Sequence, residues 1–408
     1  MKYRTHPRTG DLISEIGFGS SYISEADEKR GVAALERAFE GGVNYYDMAA
    51  ASSRCFPYYG KAFAGIRNKI FYQIHFGADY ATGTYGWSTN VDKIRRSVEW
   101  QLQCLKTDYI DYGFIHCLDE EEDWRAYQKS GAFSYLMQLK EKGIVRHIGL
   151  SSHTPSTIRR VLEEAPVDML MFSINPAYDY QKGEYAHGSV EERQEIYRRC
   201  EMEGIGISVM KPFSGGQLLD AALSPFGKAL TPYQCLQYAL DRPGVLTVLP
   251  GMSSAEDVEH ILGYYDASDQ ARDYAVISTF TPADAAGTCV YCNHCQPCPK
   301  QIDIGIINKY YDLAKQDVYK RQAYSLPSSL SPGHRPPSLR ERAENSTRHI
   351  PENSAHRPKN TQAYRKVLCV LGRIPPYICP MVEKAAKISA VQTPRMQSLG
   401  SFIRGSVL

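Results

Sequence analysis

The sequence predicts an α/β protein: a parallel (β/α)8 TIM barrel over residues 1–275, a short cysteine-rich segment over 276–316, and a disordered tail of non-native character over 317–408. Three observations carry the barrel. Tyr109, Ile110, Tyr112, Phe114 and Ile115 form a nearly unbroken β-branched and aromatic run that ends in His116, as in a parallel strand buried on both faces. Asp47 ends Gly-Val-Asn-Tyr-Tyr-Asp in the same way, and Ser151 and Asn175 follow two later runs; polar residues at the C-terminal ends of parallel strands gather at one barrel mouth. Strands and amphipathic helices then alternate throughout. The first expected turn, Gly17-Phe18-Gly19-Ser20, lacks the Gly-x-Gly-x-x-Gly pattern of an open doubly wound sheet.

In chain order, Ile16–Ser20 reads as the first strand and Asp27–Glu40 as a helix, with Val32, Leu35 and Phe39 on one face and Gly41-Gly42 behind it. Val43–Asp47 and Ile70–Phe76 are the next strands. A helix over Val91–Leu105 steps its apolar residues by three and four behind Ser88-Thr89-Asn90 as caps, and the strand Tyr109–His116 follows. Strands at Ile144–Leu150, Asp168–Ile174, Ile205–Met210 and Leu246–Leu249 alternate with helices at Pro155–Glu163, Val190–Glu203, Thr231–Leu240 and Ala255–Leu262.

A hydrophobic content of 43% in 408 residues supports a full core, and no run reaches the length of a membrane helix. Met1–Gly10 has no apolar centre of the secretory kind, so the eleven cysteines read as thiols of a reducing cytoplasm. The net charge of +2 hides a division: residues 323–408 carry 13 Lys+Arg, 4 Asp+Glu and 10 of the 23 prolines. Asp317-Val-Tyr-Lys-Arg-Gln322 reads like a translated sequencing-library adapter, and the tail beyond it has the lack of periodicity of an unselected frame. It is assigned no function and no nucleic-acid partner.

Asn44-Tyr45-Tyr46-Asp47, Thr107-Asp108-Tyr109-Ile110-Asp111 through His116, Ile148-Gly149-Leu150-Ser151-Ser152, Met210-Lys211-Pro212 and Pro250-Gly251-Met252-Ser253-Ser254 resemble successive landmarks of the aldo/keto reductase family. The resemblance implies a barrel that binds NADP or NAD in extended form and passes hydride to a small-molecule carbonyl. In that family a tyrosine donates the proton, a lysine paired with an aspartate raises its acidity, and a histidine orients the carbonyl. A phenol near pKa 10 needs such a cation to work at neutral pH.

Asp47 matches the aspartate and His116 the histidine. The tyrosine is expected where Ser52 stands and the lysine in the strand Ile70–Phe76, where His75 stands. In one reading Tyr58 or Tyr59 folds back into the mouth, and His75, paired with Asp47, serves as cation or proton donor. In the other the two tyrosines pack the following helix, carbonyl reduction is lost, and the barrel is a redox sensor or scaffold. For the dinucleotide, Ser151, Ser152 and Asn175 correspond to contacts of the nicotinamide amide, although Met171 and Ile174 replace the usual Gln and stacking Tyr. The loop Lys211–Gln217, with Ser214, Gly215 and Gly216, follows a late strand where barrels place phosphates. The resemblance implies that the loop with Gly251 offers Ser253 and Ser254 to a ribose phosphate, beside Glu256 and Asp257 rather than Arg or Lys.

Cys289-x2-Cys292-x2-Cys295-x2-Cys298-Pro299 places four thiols within ten residues, which points to a metal centre. The run is similar to the ferredoxin ligands of a 4Fe-4S cluster, one residue shorter at its last spacing, and a subgroup of aldo/keto reductases carries such a motif after the barrel. Cys298 completes the ligand set, or a remote thiol such as Cys55 or Cys117 does; a structural zinc site is the alternative. A cluster beside a nicotinamide site suggests an electron-transfer partner.

Overall fold

Seven of the apolar runs pair side by side into one parallel sheet. The computed structural model describes residues 1–183 and 185–279, so the run Cys289–Cys298 and the tail from Asp317 lie outside the described residues. The chain opens with a hairpin of β1 (Tyr3–Thr5) and β2 (Leu12–Ser14), then α1 (Glu28–Glu40), β3 (Tyr45–Asp47), α2 (Phe56–Ala62) and β4 (Phe71–Phe76). A small hairpin of β5 (Ala78–Asp79) and β6 (Gly86–Trp87) precedes α3 (Val91–Leu105) and β7 (Ile110–Ile115). There follow α4 (Glu121–Lys129), α5 (Ala132–Glu141), β8 (Val145–Ser151), α6 (Pro155–Glu164), β9 (Met169–Ser173), α7 (Pro176–Asp179) and α8 (Val190–Glu203). Last come β10 (Gly206–Met210), α9 (Pro232–Leu240), β11 (Val245–Val248), α10 (Ala255–Leu262) and α11 (Asp269–Arg272).

The sheet runs β3-β4-β7-β8-β9-β10-β11, every pair parallel. The expected first strand is not a continuous ladder. Instead, residues 16–19 stand between the two edge strands, with single bridges from Ile16 to Val248 and from Phe18 to Tyr46. Gly17 N donates to Val248 O at 2.9 Å and Phe18 N to Tyr45 O at 2.8 Å, which closes the ring. Glycine is needed there because a Cβ on Gly17 would lie 2.7 Å from Leu249 Cδ2, and one on Gly19 would lie 2.8 Å from Leu249 O.

Side chains alternate across the wall with the period of two that a strand imposes. Tyr45, Tyr112, Phe114, Met169, Met171, Met210 and Leu246 pack as the inner cluster, while Tyr46, Tyr72, Ile74 and Ile115 belong to the outer layer against the helices. Besides the short α7 and α11, three helices go beyond the sequence expectation. Helix α4 is strongly charged and buries only Trp124 and Tyr127, which hides its periodicity, and Gly131 at φ 85° separates it from α5. The third, α2, begins with Phe56-Pro57 and packs on α1 and α3. Among the described residues no helix is long and apolar enough to cross a membrane.

Candidate active site

The strand ends of β3, β4 and β7 bring three sequence-predicted residues into one row. Asp47 Oδ1 lies 2.7 Å from His75 Nε2, and His75 Nδ1 lies 2.8 Å from His116 Nδ1. The two imidazoles meet edge to face, with centroids 4.5 Å apart. His75 is on β4 with parity that points it inward, His116 follows the last residue of β7, and both are buried. Burial, reinforced by His75 and then His153, holds the His116 imidazole well below the ordinary histidine range.

Gln73, two residues before His75 on the same face of β4, was not foreseen. Its Oε1 accepts from Tyr45 Oη at 2.8 Å and Ser208 Oγ at 2.9 Å, so its amide nitrogen is turned toward Asp47 Oδ1 at 2.9 Å. Strand parity was a sufficient signal, since a polar residue two before an inward histidine must also face inward. Tyr85 was also missed. Its hydroxyl lies 2.8 Å from His116 Nε2, on the far side of the ring from His75. Trp87 Nε1 donates to the His116 carbonyl at 3.1 Å, so two residues of the β5–β6 hairpin hold this histidine. Tyr85 sits in a Gly/Thr-rich turn with no periodicity, and no sequence signal marked it.

Tyr58 and Tyr59 are not brought to this row. Tyr58 lies against α1, where Gly31 leaves room: a Cβ there would come within 2.5 Å of the ring, and the phenol donates to Ala26 O at 3.2 Å. Tyr59 is fully buried among Phe18, Tyr46, Phe63 and Tyr72, and its hydroxyl has no hydrogen-bond partner among the described residues. Helix α2 sets this outcome: Tyr58 turns toward α1 and Tyr59 toward the outer face of the barrel wall, and neither turns back to the mouth. Ser52 ties its backbone N–H to Ser24 Oγ at 3.3 Å.

The expected dinucleotide residues lie on the loops after β8, β9, β10 and β11 and are already engaged. Ser151 is buried at the end of β8 and gives its carbonyl to Leu118 N–H. Ser152 Oγ donates to Asp119 at 3.3 Å. Asn175 caps α7 through Tyr178 N–H and donates to Lys211 O at 2.8 Å, which leaves one amide hydrogen and one carbonyl lone pair for a ligand. Lys211 Nζ stands 4.2 Å above the Tyr185 ring. In the loop after β10, Lys211, Ser214, Gly215 and Gly216 all have positive φ, from 52° to 92°, and a Cβ on either glycine would meet nothing within 4 Å. Gly251 lies under Tyr22, whose ring a Cβ would approach to 2.1 Å. The turn after it is occupied by the chain's own anion: Ser253 N–H and Oγ–H both donate to Asp257 Oδ2 at 2.8 Å, and Ser254 Oγ caps α10 through Asp257 N–H.

Beside His116, the ligating atoms of Cys117, Asp119 and His153 lie within 4.8 Å of one another. His153 Nδ1 is 2.9 Å from Asp119 Oδ2, and its buried Nε2 has no hydrogen-bond partner among the described residues. Burial, with Asp119 adding to it, pushes the Cys117 thiol up to about 12. For Asp119, burial is outweighed by hydrogen bonds from His153, which hold the carboxyl below its usual range.

A closed parallel α/β barrel with a buried carboxylate and two histidines at the C-terminal mouth defines the class; comparison with known proteins defines the family. The family model described as "Aldo/keto reductase family" matches residues 15–230, and the chain belongs to that family. It is similar to L-galactose dehydrogenase of Arabidopsis thaliana, at 24% identity covering 64% of this chain and 86% of the relative. The uncharacterized oxidoreductase YqkF of Bacillus subtilis is 26% identical over 61% of this chain and 87% of its own length. Among solved structures, the aldo-keto reductase AKR11C1 from Bacillus halodurans superposes with a TM-score of 0.56 at 23% identity, covering 69% of this chain and 97% of that one, a likeness of fold.

Proposed function

We propose that the protein is a nicotinamide-dependent oxidoreductase that interconverts a small carbonyl compound and its alcohol, with Asp47, His75 and His116 as its proton-handling group. The observation that carries this is the hydrogen-bonded row from Asp47 through His75 to His116 at the barrel mouth, which keeps an aspartate-paired base where the family has its lysine. The open, left-handed loop of Ser214, Gly215 and Gly216 supports a phosphate site, since its backbone can approach an anion closely. Ser151, Ser152 and Asn175 would hold the nicotinamide amide, and Lys211, Gly251, Ser253 and Ser254 the phosphates and ribose. When bound, the dinucleotide supplies or takes the hydride. The reading is tested by dinucleotide-linked turnover: Asp47→Asn and His75→Ala are expected to lower kcat by about 100-fold or more, the usual worth of a positioned acid-base group, and Ser52→Ala to leave it unchanged. Tight dinucleotide binding without turnover on any carbonyl or alcohol would favour the non-catalytic barrel, for which the packing of Tyr58 and Tyr59 away from the mouth speaks.

The same reading gives the Cys289, Cys292, Cys295 and Cys298 run a 4Fe-4S cluster and the protein an electron-transfer partner, on the strength of the cysteine spacing. Anaerobically purified protein is expected to contain iron and acid-labile sulfide, with a broad visible absorbance that Cys292→Ser or Cys295→Ser abolishes. Stoichiometric zinc without sulfide would assign a structural site instead.

A further inference from the structure

We infer that Tyr85 is the terminal proton-transfer residue of the site, and that a single chain of hydrogen bonds, Tyr85–His116–His75–Asp47, is set in its resting form to take a proton from an alcohol. The inference rests on the oxidoreductase reading above and adds both a residue and a direction. The three links measure 2.8, 2.8 and 2.7 Å from the phenol to the carboxylate.

The donors and acceptors along this chain follow from its buried end. The Asp47 carboxylate is an acceptor, and the Gln73 amide, whose oxygen is occupied by Tyr45 and Ser208, donates to the same Oδ1 at 2.9 Å. His75 Nε2 therefore carries the proton shared with Asp47. A neutral His75 then has a bare Nδ1, which can only accept, so His116 Nδ1 is the N–H. Neutral His116 in turn has a bare Nε2, and Tyr85 Oη–H must donate to it. The 2.8 Å between the two Nδ1 atoms admits one proton between the rings, which this neutral arrangement supplies. Tyr85 is 40% exposed while the other three members are buried, so the phenol is where the chain meets substrate and solvent.

The hairpin that carries Tyr85 is fastened to the segment in which the family's tyrosine would lie. Ser52 bridges to Thr84, Tyr85 N–H donates to Ala51 O at 3.0 Å, and Ser53 N–H to Gly83 O at 3.0 Å. Thus a phenol returns to this end of the barrel from a neighbouring loop, with Ser52 beneath it.

In alcohol oxidation the substrate O–H bond breaks as its proton passes to Tyr85 Oη. The Tyr85 proton moves to His116 Nε2, the His116 Nδ1 proton to His75 Nδ1, and the His75 Nε2 proton to Asp47 Oδ1. With an oxidised dinucleotide bound as co-reactant, the carbinol C–H electron pair would leave to it as hydride, so the alcohol would lose two electrons while one proton is stored on Asp47. Reversal of the chain after product leaves returns that proton through Tyr85 to water. Carbonyl reduction needs the same chain to start with Asp47 protonated.

Two measurements test this. In nitrogen-15 histidine NMR of the protein without dinucleotide, His75 is expected as the Nε2–H tautomer and His116 as the Nδ1–H tautomer, with a Tyr85-dependent shift of the His116 Nε2 signal that Tyr85→Phe removes. The reverse tautomers, or an imidazolium at His116, would overturn the proton order. In turnover, Tyr85→Phe is expected to lower the rate of alcohol oxidation by about 100-fold or more while dinucleotide affinity stays within about twofold. An active unmodified protein whose Tyr85→Phe variant keeps its rate would overturn the role of Tyr85. An unmodified protein that binds dinucleotide but turns over no alcohol or carbonyl would instead overturn the underlying oxidoreductase reading.

Discussion

At the scale of single residues, the His75 imidazole uses both of its nitrogens, one toward Asp47 and one toward His116, and so joins three strand ends in one row. A second feature lies after β11. The Asp257 carboxylate already accepts from Ser253 N–H and Oγ–H at the start of α10, in the turn proposed above for the ribose phosphate. For Asp257, burial is outweighed by these hydrogen bonds, so the carboxyl is held below its usual range and is an anion at neutral pH. A phosphate must displace it against charge repulsion. Fluorescence titration is therefore expected to give dissociation constants for the phosphorylated and unphosphorylated dinucleotides within about tenfold of each other, and Asp257→Ser to tighten the phosphorylated form by about tenfold, the worth of one charge-assisted hydrogen bond. A hundredfold preference of the unmodified protein for the phosphorylated form would sink this account.

At the scale of elements, β9, α7, α8 and α9 are tied by one buried carboxylate. Asp179 accepts from Arg193 Nε at 2.8 Å and from Tyr238 Oη at 2.8 Å, and the Arg193 guanidinium also donates to Ser173 O at the end of β9. Arg193 is fully buried, so removing Asp179 leaves a charge with no counterion in the core. Asp179→Ala is expected to cost about 3–5 kcal/mol, read as a lower midpoint in urea denaturation, and to loosen the turn that holds Asn175. A loss under 1 kcal/mol would mean that Arg193 finds another partner. The spans of the helices around this network were legible beforehand, and in the structure Ser189 with Glu192 and Thr231 with Gln234 form reciprocal caps at their starts. Arg193 was not, because its position within a charged helix reads as a solvated face until the packing turns it inward.

At the scale of the whole molecule, acid is expected to destabilise the fold in the histidine range. Burial, the largest cause for both, lowers the folded-state pKa of His116 and of His153, the latter against the pull of Asp119. The unfolded chain then binds protons below about pH 6.5 that the folded chain refuses, so stability is full above that value and falls as pH drops, by up to about 1.4 kcal/mol per pH unit for each group. The melting temperature measured by circular dichroism is expected to fall steadily from pH 7 to pH 5, and a flat profile would refute the buried neutral histidines. We also expect protein ending at Gln316 to fold and bind dinucleotide, since the ring is closed by residues 16–19 and 245–251, all within the barrel. Insoluble truncated protein would give the tail a structural role.

The sequence by itself determined the barrel, because a two-residue period inside strands and a 3.6-residue period between them leave few other ways to bury both patterns. It also placed Asp47, His75 and His116 at strand ends, where residue spacing alone sets direction. Only the tertiary structure decided that Ile16–Ser20 closes the ring by alternate bridges, that Tyr58 and Tyr59 pack outside it, and that Gln73 and Tyr85 flank the two histidines. The physical reason is range. Periodicity records which face of an element is buried, whereas the partner of a side chain on an irregular loop depends on contacts with residues 31 positions or more away, as in Tyr85 with His116, and leaves no mark in the local sequence.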